Sequence, residues 1–144
     1  MIKIWVDDEK PAPEDDDNYY HYKFKSVNET LLKLGFIIKD MQVFDRNGTT
    51  YLLDLDHDAG EYAADGGDYI NILKALSQPW IKDLLCFTED DLNEYYRGQP
   101  WTKDYLDAIR VRFHSANPVG VKNMRAIVES CPWMRKYDER LFLY

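Results

Sequence analysis

The chain has 144 residues, of which 45% are hydrophobic and 15% aromatic, and its formal net charge is −8. This composition supplies a core and differs from that of a disordered chain, so residues 1–144 are expected to form a single domain. The acidity excludes general binding to duplex DNA, which depends on Lys and Arg contacts with phosphates.

The charge is distributed unevenly along the chain. Residues 1–109 carry 11 basic and 23 acidic groups, whereas residues 110–144 carry 7 basic and 3 acidic groups, so the balance changes from −12 to +4. An acidic part that can hold a metal ion and a basic part that can hold an anion fit phosphate chemistry. A scatter of solvated charges is the plainer alternative.

The cysteines and the apolar runs predict a cytoplasmic protein without a membrane partner. Cys86 and Cys131 form no Cys-x-x-Cys pair, so reduced thiols are expected. Asp7 and Asp8 interrupt the first apolar run, so no leader is expected at that position. No run reaches the roughly 18 apolar residues of a membrane span.

Short apolar runs predict the first elements of the chain. Residues 2–6 and 19–25 are typical of strands. Ser26 is followed three positions later by Glu29, and this capping box predicts the start of a helix that Gly35 stops.

The middle of the chain is predicted to contain a hairpin. Residues 41–56 hold two apolar runs around Asn47-Gly48, a strong turn signal. A helix near residues 68–77 follows. Residues 78–105 contain several helix breakers and many aromatic residues, and we interpret them as an insertion with one or two short helices.

The last elements are a strand and a helix. Residues 109–113 alternate cleanly between apolar and polar side chains. Asn117 can cap a helix that starts at Pro118 and continues to about Cys131. Because strands and helices alternate along the chain, we expect an α/β domain with a mostly parallel sheet.

Polar clusters follow three of the predicted strands. They are Asp7-Asp8, Asp56-His57-Asp58 and His114-Ser115 with Asn117. Parallel sheets bind ligands beyond the carboxyl ends of their strands, so these clusters are expected to converge on one site.

The carboxylates in these clusters predict a metal site. Asp7, Asp8 and Asp56 would supply hard oxygen ligands, with Asp58 as a possible fourth, and such ligands suit Mg²⁺ or Mn²⁺. Helix caps and loop salt bridges are the structural alternative for the same residues.

The histidines in these clusters predict acid–base chemistry. The adjacent carboxylates favour the charged imidazolium of His57, and His114 begins the third cluster, so both histidines are candidates for general acid and base. A purely structural role for either histidine is the alternative.

The start of the last helix predicts an anion site. Free N–H groups at a helix N-terminus attract anions, and Ser115 and Asn117 can add polar contacts. Gly120 leaves space for an approaching group, and Lys122 and Arg112 supply positive charge. A well-capped helix without a ligand is the alternative.

The order of these motifs resembles the receiver domain of two-component response regulators. Asp7, Asp8 and Asp56 match the acidic pair and the phosphate-accepting aspartate of that family, and Ser115-Ala116 match its switch position. The resemblance implies a receiver-like, flavodoxin-like three-layer fold. An aspartyl-phosphate at Asp56 is a less favoured variant, because no Lys-Pro pair follows a fifth strand.

Three longer segments are similar to a divergent branch, the cyclic-phosphate-processing receiver-like family. They are Trp5-Val-Asp-Asp-Glu-Lys-Pro-Ala-Pro13, Leu55-Asp-His-Asp-Ala-Gly60 and His114-Ser-Ala-Asn-Pro-Val-Gly-Val-Lys-Asn-Met124. This resemblance implies a phosphoesterase acting on a cyclic phosphate, either a 2′,3′-cyclic RNA end or a small cyclic nucleotide, in RNA repair or biological conflict.

Three hypotheses for function follow. The first is a metal-dependent hydrolase of a cyclic phosphate, with Asp56, His57 and His114 at the reacting centre. The second is a non-catalytic module that senses or sequesters a phosphorylated nucleotide. The third is an acidic module that docks on a basic protein partner.

Overall fold

The computed structural model describes residues 1–14, 19–44, 50–78, 109–131 and 134–137, and the side chains of all of these except 39 and 41–44. Its strands are β1 (Ile2–Val6), β2 (Tyr22–Phe24), β3 (Tyr51–Leu55), β4 (Ile109–Phe113) and β5 (Met134–Lys136). Its helices are α1 (Val27–Phe44), α2 (Ile70–Leu76) and α3 (Pro118–Ser130), and a 3₁₀ helix spans Gly60–Ala64.

The five strands form one parallel sheet in the order β2-β1-β3-β4-β5. In sequence, α1 lies between β2 and β3, α2 lies between β3 and β4, and α3 lies between β4 and β5. The arrangement confirms the predicted α/β class and is consistent with a flavodoxin-like three-layer domain. The predicted insertion near 78–105 lies, apart from residue 78, outside the described residues.

The hairpin predicted over residues 41–56 is wrong. Its first half is the end of α1, which continues to Phe44. Its second half is β3, which lies at the centre of the sheet between β1 and β4 and is parallel to both. All five residues of β3 are buried, and a strand buried on both faces belongs in the middle of a parallel sheet rather than in an exposed hairpin.

Helix α1 begins as predicted and ends ten residues later than predicted, at Phe44 instead of Leu34. The Oγ atom of Ser26 accepts a hydrogen bond from the N–H of Glu29 at 3.1 Å. Gly35 does not stop the helix, because a glycine costs a helix only about 1 kcal/mol, while the next turn buries Ile37 and Ile38 in the core.

The main core lies between one face of the sheet and the helices. Ile4, Leu53 and Val111 line up across three neighbouring strands and point to the same face. The buried residues of the helices belong to the same cluster, including Ile38 of α1, Leu73 of α2 and Met124 of α3. This packing holds β1, β3 and β4 against the helices.

The opposite face of the sheet carries the residues that alternate with that core. Trp5, Asp54 and Arg112 are register partners on β1, β3 and β4 and therefore lie side by side. Trp5 packs with Ala12 and Tyr20 in a second, smaller cluster. Ala12 and Tyr20, from the segment between β1 and β2, thus lie against this face.

No helix in the described part of the chain has the length and apolar character of a membrane span.

Candidate functional site

The carboxyl ends of β1, β3 and β4 lie next to one another at one edge of the sheet. The backbone ladder extends one residue beyond the strands, since the N–H of Asp56 donates to the carbonyl of Val6 and the N–H of His114 donates to that of Leu55, both at 3.0 Å. The three predicted polar clusters therefore start from adjacent positions.

The carboxylates of Asp7, Asp8 and Asp56 converge at this edge. One oxygen of each lies within 4.8 Å of the others. Gly60, at a φ of 56°, makes room for this group, because a Cβ atom at that position would collide with the Oδ2 atom of Asp8. We call these three aspartates the acidic cluster, and they can hold a metal ion.

The acidic cluster carries negative charge that the described residues do not balance. Burial raises the pKa of Asp8, its own backbone N–H partly opposes that effect, and repulsion from Glu9, Asp7 and Asp56 raises the pKa further. Neither Asp8 nor Asp56 forms an ion pair within the part of the chain that the structure describes. A divalent cation would relieve this repulsion.

Asp7 differs from the other two because both its oxygens are engaged. Its Oδ1 atom accepts hydrogen bonds from the backbone N–H groups of Glu9 and Lys10, each at 2.8 Å. Its Oδ2 atom lies 2.9 Å from Nε2 of His114. The side chain is thereby held in one orientation at the end of β1.

His114 lies between two carboxylates. Its Nε2 atom faces Asp7, and its Nδ1 atom is 2.7 Å from Oδ1 of Asp54. Carboxylate oxygens only accept hydrogen bonds, so each of these two contacts is a hydrogen bond when the ring nitrogen carries a hydrogen. The ring also stacks on Trp5, with centroids 3.7 Å apart and planes 5° from parallel. The proton-transfer role predicted for His114 would require one of these bonds to break.

Asp54 is a buried charge in the middle of β3, with 2% of its surface exposed. Its Oδ2 atom accepts hydrogen bonds from the hydroxyl of Tyr20 at 2.5 Å and from Nε of Arg112 at 2.9 Å. Burial raises the pKa of Asp54, but the bonds from His114 and Tyr20 and the charge of Arg112 outweigh it, so the net pKa is lowered. Asp54 is thus held as a carboxylate.

Arg112 and Tyr20 complete this buried network. An Nη atom of Arg112 donates to the Tyr20 hydroxyl at 2.6 Å. Burial and the Asp54 carboxylate raise the pKa of Tyr20 to about 12, so the phenol stays protonated. Arg112 was predicted to contact substrate, and the structure places it against Asp54 and Tyr20.

His57 lies on the other side of the site, against helix α3. Its imidazole packs flat on Gly120, where a Cβ atom would collide with the ring. Its Nδ1 atom is 2.8 Å from Oδ1 of Asp58 and 3.4 Å from Nδ2 of Asn117. Its Nε2 atom has no hydrogen-bond partner among the described residues.

Asp58 was predicted as a fourth metal ligand, and the structure groups it differently. Its carboxylate lies with His57 and Asp68 in a second group whose potential ligand atoms are within 4.8 Å of one another. Asp58 is bonded to His57, and Asp68 accepts a hydrogen bond from the N–H of Ala59 at 3.0 Å. These hydrogen bonds explain why the second group lies close together: they hold the loop after β3 in place.

The start of α3 is capped as predicted. Oδ1 of Asn117 accepts the N–H of Gly120 at 2.9 Å, and Oγ of Ser115 accepts the N–H of Asn117 at 3.0 Å. The N–H of Gly120 and the space in front of it are therefore occupied by Asn117 and His57. Lys122 is exposed one turn into the helix.

Sequence reasoning identified the strand-end residues and missed the buried partners behind them. The sequence singles out neither Asp54, which lies within the predicted hairpin over residues 41–56, nor Tyr20, which lies within the predicted strand over residues 19–25. The available signal was the spacing, because Trp5, Asp54 and Arg112 each fall on the non-core face of their strand. A charged residue alternating with core residues of a central strand needs a partner.

Comparisons with protein-family models, with curated proteins and with solved structures found no match for this chain.

Proposed function

We propose that the chain is a divalent-metal-dependent phosphoesterase that hydrolyses a cyclic phosphate. The observation that carries this proposal is the acidic cluster. Asp7 contacts His114, whereas Asp8 and Asp56 have no ion-pair partner among the described residues, so the cluster offers two unpaired carboxylates to a cation.

The donor set favours Mg²⁺ or Mn²⁺ over zinc, because all three candidate ligands are carboxylates. Such an ion, when bound, neutralises phosphate charge and lowers the pKa of water. The chain itself supplies the fixed orientation of Asp7 and the space for Asp8 beside Gly60.

The reaction adds one water across a phosphoester bond. A bond forms between the water oxygen and phosphorus, the bond between phosphorus and one ring ester oxygen breaks, and that oxygen takes up a proton. His57 is the better placed of the two predicted histidines to move this proton, because Nε2 of its ring is not held by any described residue.

The substrate class in this proposal comes from the resemblance to the cyclic-phosphate-processing receiver-like family. The substrate would be a 2′,3′-cyclic phosphate, either on a nucleotide or at an RNA end. Ser115, Asn117 and Lys122 lie on the segment that follows β4 and are the candidates to contact its non-bridging oxygens.

The test is incubation with 2′,3′-cyclic nucleotides and with RNA oligonucleotides that end in a 2′,3′-cyclic phosphate, in the presence of Mg²⁺ or Mn²⁺. Mass spectrometry should detect a product heavier by one water. Asp8→Asn and Asp56→Asn should abolish the product, as should a chelator. Asp40→Asn, the same chemical change at an exposed position of α1, should leave the rate unchanged.

Other outcomes would redirect the assignment. Intact substrate that raises the melting temperature in wild type but not in Asp56→Asn would contradict turnover and identify a binding module. Neither turnover nor stabilisation, together with salt-sensitive binding to a basic protein, would identify the acidic docking module.

A further inference from the structure

We propose that Asp54 is a positioning residue for the metal site, and that it acts through His114 on Asp7. This inference rests on the metal part of the proposed function. It assigns a role to a residue that lies below the site and is not part of the acidic cluster.

The first step is the cost of burying Asp54. A carboxylate that is 2% exposed loses nearly all its contact with water, and such a charge persists only where it is paired and hydrogen-bonded. Its two oxygens have different partners. Oδ2 accepts hydrogen bonds from Tyr20 and Arg112, and Oδ1 contacts only His114 within the described region. Tyr20 and Arg112 therefore fix the carboxylate, and its other oxygen is directed at His114.

The second step is the orientation of His114. The ring is held in its plane by stacking on Trp5 and is held at its Nδ1 atom by Asp54 at 2.7 Å. With these two constraints, its Nε2–H group can point in only one direction, and there it meets Oδ2 of Asp7 at 2.9 Å. The position of Asp54 therefore sets the position of the Nε2 atom of His114, which contacts Asp7.

The third step is the effect on the acidic cluster. Asp7 is the member with both oxygens held, whereas Asp8 and Asp56 follow strand ends without an ion pair in the described structure. Partners behind a ligand fix its orientation, and losing one typically weakens metal affinity about 10–100-fold.

The experiment measures the Kd for Mn²⁺ by calorimetry or by electron paramagnetic resonance of the free ion. Asp54→Asn should weaken Mn²⁺ binding about 10–100-fold, because the amide cannot serve His114 and Arg112 as the carboxylate does. Thr30→Val is the matched control: it removes a buried hydrogen bond to the carbonyl of Ser26, and neither of these residues is hydrogen-bonded to Asp54 or His114 in the described structure. It should lower the melting temperature and leave the Kd unchanged.

The path through His114 is tested in a second background. If Asp54 acts only through His114, Asp54→Asn should have no further effect on the Kd in a His114→Gln protein, since coupled changes are not additive. Should Asp54→Asn fail to fold, Tyr20→Phe takes its place. It removes one bond to Asp54 without changing any charge, and it should weaken binding by a smaller factor that also disappears in the His114→Gln background.

The outcomes separate this inference from the proposed function. An unchanged Kd in Asp54→Asn, with Mn²⁺ binding lost in Asp8→Asn, would overturn the positioning role alone. An equal weakening in both backgrounds would overturn the path through His114. Mn²⁺ binding that depends on Asp54 without any hydrolysis would support the inference and contradict the proposed reaction. No Mn²⁺ binding by the wild-type protein would overturn both.

Discussion

At the scale of single residues, two glycines each make room for a different part of the site. A Cβ atom on Gly60 would collide with Asp8 of the acidic cluster, and a Cβ atom on Gly120 would collide with the ring of His57. Gly60 also has a φ of 56°, a left-handed conformation that disfavours other residues. Each substitution to alanine therefore displaces one chemical group and leaves the other in place.

We predict that Gly60→Ala and Gly120→Ala each lose a different function. Gly60→Ala should weaken Mn²⁺ binding and lower the free energy of unfolding by about 1–3 kcal/mol. Gly120→Ala should keep Mn²⁺ binding and lose hydrolysis, at a similar or smaller cost because alanine favours a helix. Urea unfolding, Mn²⁺ calorimetry and product formation measure the three quantities. Loss of Mn²⁺ binding in Gly120→Ala alone would contradict the division of roles.

The residues that sequence could identify are those whose position follows from the chain alone. Asp7, Asp56 and His114 each come directly after a strand, and parallel strand ends share an edge. The partners Tyr20 and Asp54 are separated by 34 residues, and their contact depends on where Tyr20 lies against the sheet. No local pattern encodes that position.

At the scale of elements, the start of α1 is tied to the segment before α2 by one carboxylate. Asp65 accepts hydrogen bonds from Oγ of Ser26 at 2.6 Å and from Nδ2 of Asn28 at 3.0 Å. These two bonds lower the pKa of Asp65 below its ordinary value of 3.8. The tie thus depends on an ionised carboxylate at the N-terminus of a helix, where negative charge is favourable.

We predict that this tie gives stability a defined pH dependence. Because the folded pKa of Asp65 is lowered, its contribution is fully present above the ordinary value of 3.8 and is lost as the pH falls through the folded value. Asp65→Asn should therefore be less stable than wild type at neutral pH, and the difference should shrink as the pH falls below 3.8. Urea midpoints across this range measure it, with Asp40→Asn as control. A difference that is constant with pH would rule out the carboxylate.

Two elements also show that core packing can outweigh local sequence signals. Asn47-Gly48 predicted a hairpin, yet β3 pairs with β1 and β4, because its fully buried run is more stable inside the sheet. The predicted capping box starts α1, but the end of α1 is set by the core contacts of Ile37 and Ile38 rather than by Gly35. The start of α1 is therefore set by local sequence, whereas its end and the pairing of β3 depend on contacts with residues distant in the chain.

At the scale of the whole molecule, binding of one cation should be visible as a change in stability. The net charge of −8 includes the acidic cluster, whose mutual repulsion opposes folding when no ion is present. A ligand that binds only the folded state at 100 times its Kd stabilises it by about 2.7 kcal/mol. For a domain of this size, that corresponds to an increase in the melting temperature of about 5–10 °C.

We therefore predict that Mn²⁺ at that excess raises the melting temperature of the wild-type protein by about 5–10 °C. The metal-free Asp8→Asn variant should melt no lower than metal-free wild type, because one repelling charge is gone, and it should show none of the increase. Sodium chloride at matched ionic strength separates specific binding from screening of the other acidic groups. An equal increase in salt, or an increase that persists in Asp8→Asn, would show that the negative charge of the whole surface, and not the acidic cluster, responds to the ion.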